Sequence, residues 1–443
     1  MLSKERLDHY FSMIDDFNDL EPTGKVAKVV GLTIESNGPA ANIGDLCVIT
    51  AQDGSRVYAE AVGFHDRSIV LMPLSDMTGV GPGCYVSSLG HPLRVGVGPK
   101  LLGRVLDAFG NPIDGKGPIE VEQYRPLHNS SVQPLHRQMI RKPISVGVRA
   151  IDGLLTCGKG QRVGIFSGSG VGKSTLLGMM ARNTSAEVNV IGLIGERGRE
   201  VREFIESDLG PEGLKRSVVV VATSDQLAMI RLKGALTATT IAEYFRDCGK
   251  DVLFLMDSVT RFAFAQREVG LASGEPPATR GYPPSVFALL PKLMERTGPG
   301  QNGTITAFYT VLVDGDDFNE PIADTVRSIL DGHIVLSRRL SNAQHYPAID
   351  VLASVSRVMP DVVDEDHNQL AVRFKTRLAT YREAEDLINI GAYVSGANPQ
   401  IDDAIQYIDA INDYLRQPAD QGSSWSEALE LLERAMGSQK GEE

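Results

Sequence analysis

The stretch that most limits what this chain can be is Ser167-Gly168-Ser169-Gly170-Val171-Gly172-Lys173-Ser174-Thr175. Ahead of it, Arg162-Val163-Gly164-Ile165-Phe166 is an apolar run of strand length. Behind it, Leu176 to Arg182 has helical spacing. Strand, glycine loop, Lys-Ser and helix together are the context of a phosphate-binding loop. Glycines let backbone N–H groups converge on phosphate oxygens, and the helix N-terminus adds partial positive charge there. Lys173 is placed to reach β- and γ-phosphates, and the Ser174 hydroxyl to hold Mg²⁺. All nine residues are therefore candidate nucleotide contacts. Ser167 stands where the strict pattern has glycine; Gly168 and Gly170 remain, so the cradle is expected to survive. The competing reading is a glycine-rich turn with an accidental Gly-Lys-Ser, which the flanking strand and helix oppose.

Composition narrows the class. At 443 residues there is room for two or three domains. A net charge of −12 and a pI near 5.3 supply no basic footprint, so no nucleic-acid partner is expected. No run of about 18 apolar residues predicts a membrane span, and the N-terminus lacks a basic-then-apolar leader pattern. The cysteines Cys47, Cys84, Cys157 and Cys248 form no CxxC pair, as in a reducing cytoplasm.

The pattern changes along the chain. Residues 1–20 space Leu7, Tyr10, Phe11, Ile14 and Phe17 as an amphipathic helix, which either packs on its own domain or docks a partner. Residues 21–95 alternate short β-rich runs with Gly, Pro, Asn and Asp turns and predict a small β-barrel. Residues 96–150 read as a Gly- and Pro-rich connector. Residues 151–360 alternate apolar strands with helices and predict an α/β domain with a mainly parallel sheet and crossover helices. Residues 361–443 predict a helical domain, whose polar end from Gln417 is expected to fray.

Two further strands end in chemistry. Asp251 to Asp257 is an apolar strand closing on a carboxylate; placed next to the phosphate-loop strand, Asp257 becomes a second Mg²⁺ anchor. Glu196 ends the strand after the phosphate-loop helix, where ligands bind in open α/β sheets. A carboxylate there can polarise an attacking water. Arg197 beside it can hold phosphate oxygens or that carboxylate. A solvated charge cluster is the alternative for Glu196–Glu200.

Several motifs resemble the rotary ATPase family: Gly195-Glu196-Arg197-Gly198-Arg199-Glu200-Val201, Ala222-Thr223-Ser224-Asp225, Ile241 to Asp247, and Tyr346 to Arg357 with its Pro347–Ser356 signature. The Gly-Arg-Glu-Val form after Glu196 is similar to the type III protein-export ATPases, and the flagellar members resemble the chain most, from about Gly24 to Leu415. The resemblance implies that Lys173 and Ser174 bind phosphate and Mg²⁺, that Glu196 activates water, and that Arg197 and Arg261 contact the terminal phosphate. It implies Asp257 as the second magnesium carboxylate and Tyr346 as the residue stacking on adenine, where a lone tyrosine is otherwise a core residue. Tyr393 is a candidate for the opposite adenine wall. Arg357 corresponds to an arginine finger that enters a neighbouring subunit, against a surface salt bridge as the bland alternative.

One chain carrying the phosphate loop, Glu196 and Arg357 needs no second kind of subunit, so a homo-oligomeric ring is the economical design; the resemblance implies six. It further implies ATP as substrate, Mg²⁺ as cofactor, and an enzyme peripheral to the cytoplasmic face of the inner membrane. Its partners would be a stator-type regulator, a central-stalk-like coiled coil, an export gate and export chaperone–substrate complexes. The run Asp314-Gly315-Asp316-Asp317-Phe318-Asn319-Glu320 breaks EF-hand spacing and reads as a solvated acidic loop, one that faces the stalk in related synthases. The alternatives are a virulence secretion ATPase, a regulatory subunit of a proton-translocating ATPase, and an RNA-translocating motor, which acidic charge opposes.

Overall fold

A computed structural model describes residues 23–313, 317 and 320–437. The proposed N-terminal helix and most of the acidic loop lie outside these residues. The described residues divide into two compact units, 23–93 with 269–275, and 94–268 with those from 276 to 437.

The first unit is a closed antiparallel barrel of β1 (Thr23–Val30), β2 (Thr33–Asn37), β3 (Asp45–Thr50), β4 (Arg56–His65), β5 (Ser68–Pro73) and β6 (Tyr85–Pro92), in the order β1-β2-β5-β4-β3-β6. Pairing of Thr23 with Ser87 and of Lys25 with Tyr85 closes it. Alternation sends Val26, Ile34, Ile49, Val57, Leu71 and Val86 inward. Closure leaves no free strand edge, as the short, evenly spaced runs predict.

In the second unit, β7 (Arg94–Val97) pairs with β9 (Gln123–Pro126), and β10 (Pro143–Ile144) with β11 (Cys157–Gly158). The main sheet takes β8 (Arg104–Leu106), β12 (Arg162–Ser167), β13 (Val188–Glu196), β14 (Ser217–Thr223), β15 (Asp251–Asp257), β16 (Gly298–Pro299), β17 (Thr304–Leu312), β18 (Gly332–Leu336) and β19 (Val355–Ser356). Its order is β19-β18-β12-β17-β15-β13-β14-β8, with β16 on β17. All pairs are parallel except β18–β19 and β16–β17. Helices cover both faces of such sheets, so central strands become continuous apolar runs. β13 is buried at each of its 9 residues.

The structure adds three things to the sequence reading. Residues read as a connector supply β8, a parallel edge strand on β14. Arg296 donates to both oxygens of the buried Glu243, at 2.9 and 2.8 Å, and to the Leu127 carbonyl at 2.8 Å, which pins the same stretch to the core. The end expected to fray carries the helix Trp425–Ala435, started by a capping box of Ser424 and Glu427. With Glu365–Asn389 and Pro399–Leu415 it packs Leu432, Phe374 and Tyr414 into the core around β12.

Candidate active site

The phosphate loop leaves β12 at Ser167 and enters the helix Lys173–Asn183 through Gly172, which is left-handed (φ 88°) and caps it without a side-chain bond. First-turn N–H groups of a helix without a side-chain cap are available to an anion. Val171 is buried and anchors the loop; Ser169, Gly170, Ser174 and Thr175 are exposed. The Ser167 hydroxyl is buried with no hydrogen-bond partner, and its carbonyl accepts from Val313 N–H. Serine thus fits where glycine is usual because its side chain points into protein.

Lys173 reaches both carboxylates. Its Nζ lies 2.5 Å from Asp257 Oδ1 and 3.3 Å from Glu196 Oε1. Burial opposes the ammonium charge, but the two carboxylates outweigh it and hold the pKa above the ordinary lysine value. β15 is not the neighbour of β12, contrary to expectation; β17 lies between them. Asp257 still arrives, because Thr310 of β17 donates its hydroxyl to Asp257 Oδ1 at 2.7 Å. Thr310 carries no local sequence signal. Both contacts of Asp257 fall on Oδ1. Among the described residues no group of three or more His, Cys, Asp or Glu forms a metal cage. One serine hydroxyl and one carboxylate are hard oxygen donors whose shell is completed by phosphate oxygens and water, a set that fits Mg²⁺.

Glu196 is turned off the strand line. The pairing of β13 with β14 slips between Ile194 and Glu196, and Gly195 between them has φ 76°. A Cβ on Gly195 would lie 2.7 Å from that of Arg261, so only glycine lets the Arg261 stem pack there. Burial, and then the Asp257 charge, push the Glu196 pKa up to about 7, with Lys173 pulling the other way. Glu200 accepts a hydrogen bond from Glu196 and is lowered by it.

The three arginines separate. Arg261 lies against Gly195 with a buried, unpartnered Nε. Arg197 turns outward; its side chain is 75% exposed and donates to Glu200 at 2.9 Å. Arg357 is exposed and follows β19, with its N–H on the Asp331 carbonyl. That places it at the amino end of the sheet, where Gln161 donates to the Ser356 hydroxyl at 3.1 Å. The phosphate loop leaves the carboxyl end of β12, 6 residues on, or about 20 Å away at ~3.3 Å per residue. Arg357 cannot reach the phosphate loop of its own chain.

Tyr346 stands beside the loop. A Cβ on Gly172 would lie 3.5 Å from its ring, and its hydroxyl is 2.9 Å from Ser341 Oγ. It lines a cavity of about 500 Å³ with Thr175, Leu176 and Met179 on one side and Gln417, Pro418 and Ala419 on another. Tyr393, a candidate for the second wall, does not line this cavity; its hydroxyl donates to the Asn398 carbonyl and to Asp402. Gln417 to Ala419, in the stretch expected to fray, line the cavity instead. Of the acidic loop, Glu320 caps the helix Pro321–Ile329 by accepting from Ile322 and Ala323 N–H.

A phosphate loop whose lysine is paired with two buried strand-end carboxylates, on a RecA-like sheet, marks a nucleotide-hydrolysing P-loop protein. Three family profiles then cover the chain in order: the ATP synthase alpha/beta family β-barrel domain at residues 26–90, its nucleotide-binding domain at 147–356, and the type III secretion system EscN ATPase C-terminal domain at 363–434. The chain belongs to the ATP synthase alpha/beta family, in its flagellum-specific and type III secretion ATPase branch. The flagellum-specific ATP synthase of Bacillus subtilis is 57% identical over 94% of this chain and 96% of its own length. The type 3 secretion system ATPase of Xanthomonas euvesicatoria is 53% identical over 92% and 93%. The solved structure of the assembled ATPase EscN from enteropathogenic E. coli matches with a TM-score of 0.89 and 48% identity, over 93% of this chain and 100% of that one. EscN with its central stalk EscO matches at a TM-score of 0.87 and 47% identity, over 93% and 100%.

Proposed function

We propose that this chain hydrolyses Mg·ATP as a homo-hexameric ring and so energises type III export of flagellar proteins across the inner membrane. The position of Arg357, about 20 Å from its own phosphate loop at ~3.3 Å per strand residue, carries the ring reading. The type III C-terminal profile at 363–434 supports export. The virulence secretion reading stays beside the flagellar one, favoured by the likeness to EscN.

In the reaction, adenine stacks on Tyr346 and the triphosphate lies in residues 167–175. Lys173 moves from its carboxylates to the β- and γ-phosphates. Ser174 and Asp257 would hold Mg²⁺, which would supply positive charge against the phosphate oxygens. Glu196 orients water against the γ-phosphorus and takes its proton as the bond to the leaving ADP oxygen breaks. Arg261 and Arg197 stabilise the terminal phosphate, Arg197 after swinging from Glu200. Arg357 of one protomer enters the site of the next. A stalk-like coiled coil fills the ring, a stator-type regulator holds it at the cytoplasmic face of the membrane, and the export gate and chaperone–substrate complexes are its clients.

Two measurements test this. Specific ATPase activity is expected to climb steeply with protein concentration as rings form; activity that stays flat from dilute monomer upward refutes it. The profile of kcat/KM reports groups of the free enzyme. Glu196 must be ionised to accept a proton, so kcat/KM is expected to fall as pH drops through about 7 and to level above it. A profile that stays level well below that point removes Glu196 as the base.

A further inference from the structure

Gln417 takes no part in the chemistry above, yet three hydrogen bonds hold its side chain beside the purine cleft. It is 5% exposed. Its Oε1 accepts from the Arg149 N–H at 2.9 Å, and its Nε2 donates to the carbonyls of Gly147 at 2.9 Å and Gln421 at 2.8 Å. Its own N–H donates to the Tyr346 carbonyl at 3.0 Å. Both amide donors of the side chain are used. One residue thus joins three segments: the start of the helix Arg149–Leu154, the backbone of the aromatic wall, and the loop 417–421, whose Gln417 to Ala419 line the cleft.

A turn confined to the loop would need only the Gln421 contact. The bonds to Gly147 and Arg149 instead span 270 and 268 residues of sequence. They fix where the loop stands relative to the nucleotide core, and the bond to Tyr346 fixes where it stands relative to the ring. Pro418 and Ala419 follow directly and have no long side chains with which to correct an error in spacing.

We infer that Gln417 is a positioning residue that sets the width of the purine cleft, and so the affinity for the base, without touching the phosphates. This rests on the assignment of the cleft to adenine. Removing the amide leaves the Arg149 N–H unpaired and frees the loop to sample wider arrangements. Apparent affinity then falls in proportion to the fraction of protein that still has the competent width. A loss of anchoring that leaves about one protein in ten competent weakens base-dependent binding about tenfold.

The test compares full-length wild type with Gln417→Ala and Gln417→Glu. Binding is measured for ADP and for pyrophosphate, which has no base, together with KM and kcat for ATP. The expected result for Gln417→Ala is a rise of about tenfold in KM for ATP and Kd for ADP, with kcat and the pyrophosphate Kd unchanged. Gln417→Glu keeps the acceptor for Arg149 but loses both donors, and it is expected to follow in the same direction; it carries the test if the alanine variant fails to fold. Weakening of pyrophosphate in parallel with ADP, or no change in ADP binding, overturns the inference. Tyr346→Ala separates the underlying assignment: if that variant binds ADP as wild type does, the cleft does not hold the base.

Discussion

Replacing Arg357 with alanine is expected to slow ATP turnover at saturating nucleotide by about 10³-fold or more while leaving ADP binding intact. The size follows from the chemistry. Charge spreads over the γ-phosphoryl oxygens as the bond to ADP loosens, and a guanidinium delivered into a site closed to water stabilises that charge by roughly 4–7 kcal/mol. An exposed salt bridge would be worth only about 0–1 kcal/mol. In this chain Arg357 follows an edge strand at the amino end of the sheet and is exposed, while Lys173 opens the helix beyond the carboxyl end of β12. The effect must therefore arise between copies. Mixing Arg357→Ala with Lys173→Ala, each inactive alone, is expected to restore activity, because an intact loop then meets an intact finger across about a quarter of the contacts in a randomly mixed ring. Normal turnover by Arg357→Ala, or mixtures as inactive as their components, would contradict the finger.

Glu196→Gln is expected to lose about 10²–10⁴ in kcat and to keep its affinity for nucleotide. Glutamine preserves the size of the side chain and its place after the Gly195 kink, but it cannot take a proton from water. The fold should survive, since Lys173 keeps Asp257 as a partner at 2.5 Å, with Thr310 behind it. Single-turnover measurements with bound ATP separate the chemical step from product release. A variant that hydrolyses ATP at the wild-type rate would remove Glu196 from the mechanism. One that loses both binding and turnover would make its role architectural.

Much of this was legible in the chain because the signals are local. The phosphate loop is a run of glycines whose backbone freedom and lysine are written in order, and the helix starts where the run ends. The barrel strands alternate by twos, and the strands of the main sheet are apolar throughout because both faces are covered. Glu196 and Asp257 could be picked out as strand-end carboxylates. What each would touch could not be read. Thr310 sits among β-formers in β17 with no mark that its hydroxyl holds Asp257. Gln417 to Ala419 looked like a polar tail, yet long-range hydrogen bonds make it a wall of the cleft. Tyr393 was a plausible aromatic by type and is tied instead to Asp402 and Asn398.

By itself the sequence settled the barrel, the phosphate loop and the apolar strands of the main sheet, though not β8 or the helix Trp425–Ala435: backbone sterics and the burial of apolar side chains act over a few residues, so glycine placement and hydrophobic period suffice to define such a loop, strand or helix. Only the tertiary structure decided that β17 separates the strands of Lys173 and Asp257, that the cleft's second wall comes from Gln417 to Ala419, and that Arg357 stands at the far end of the sheet from its own loop. Those facts depend on strand order and on contacts between residues far apart in the chain, where no local preference of the backbone reaches.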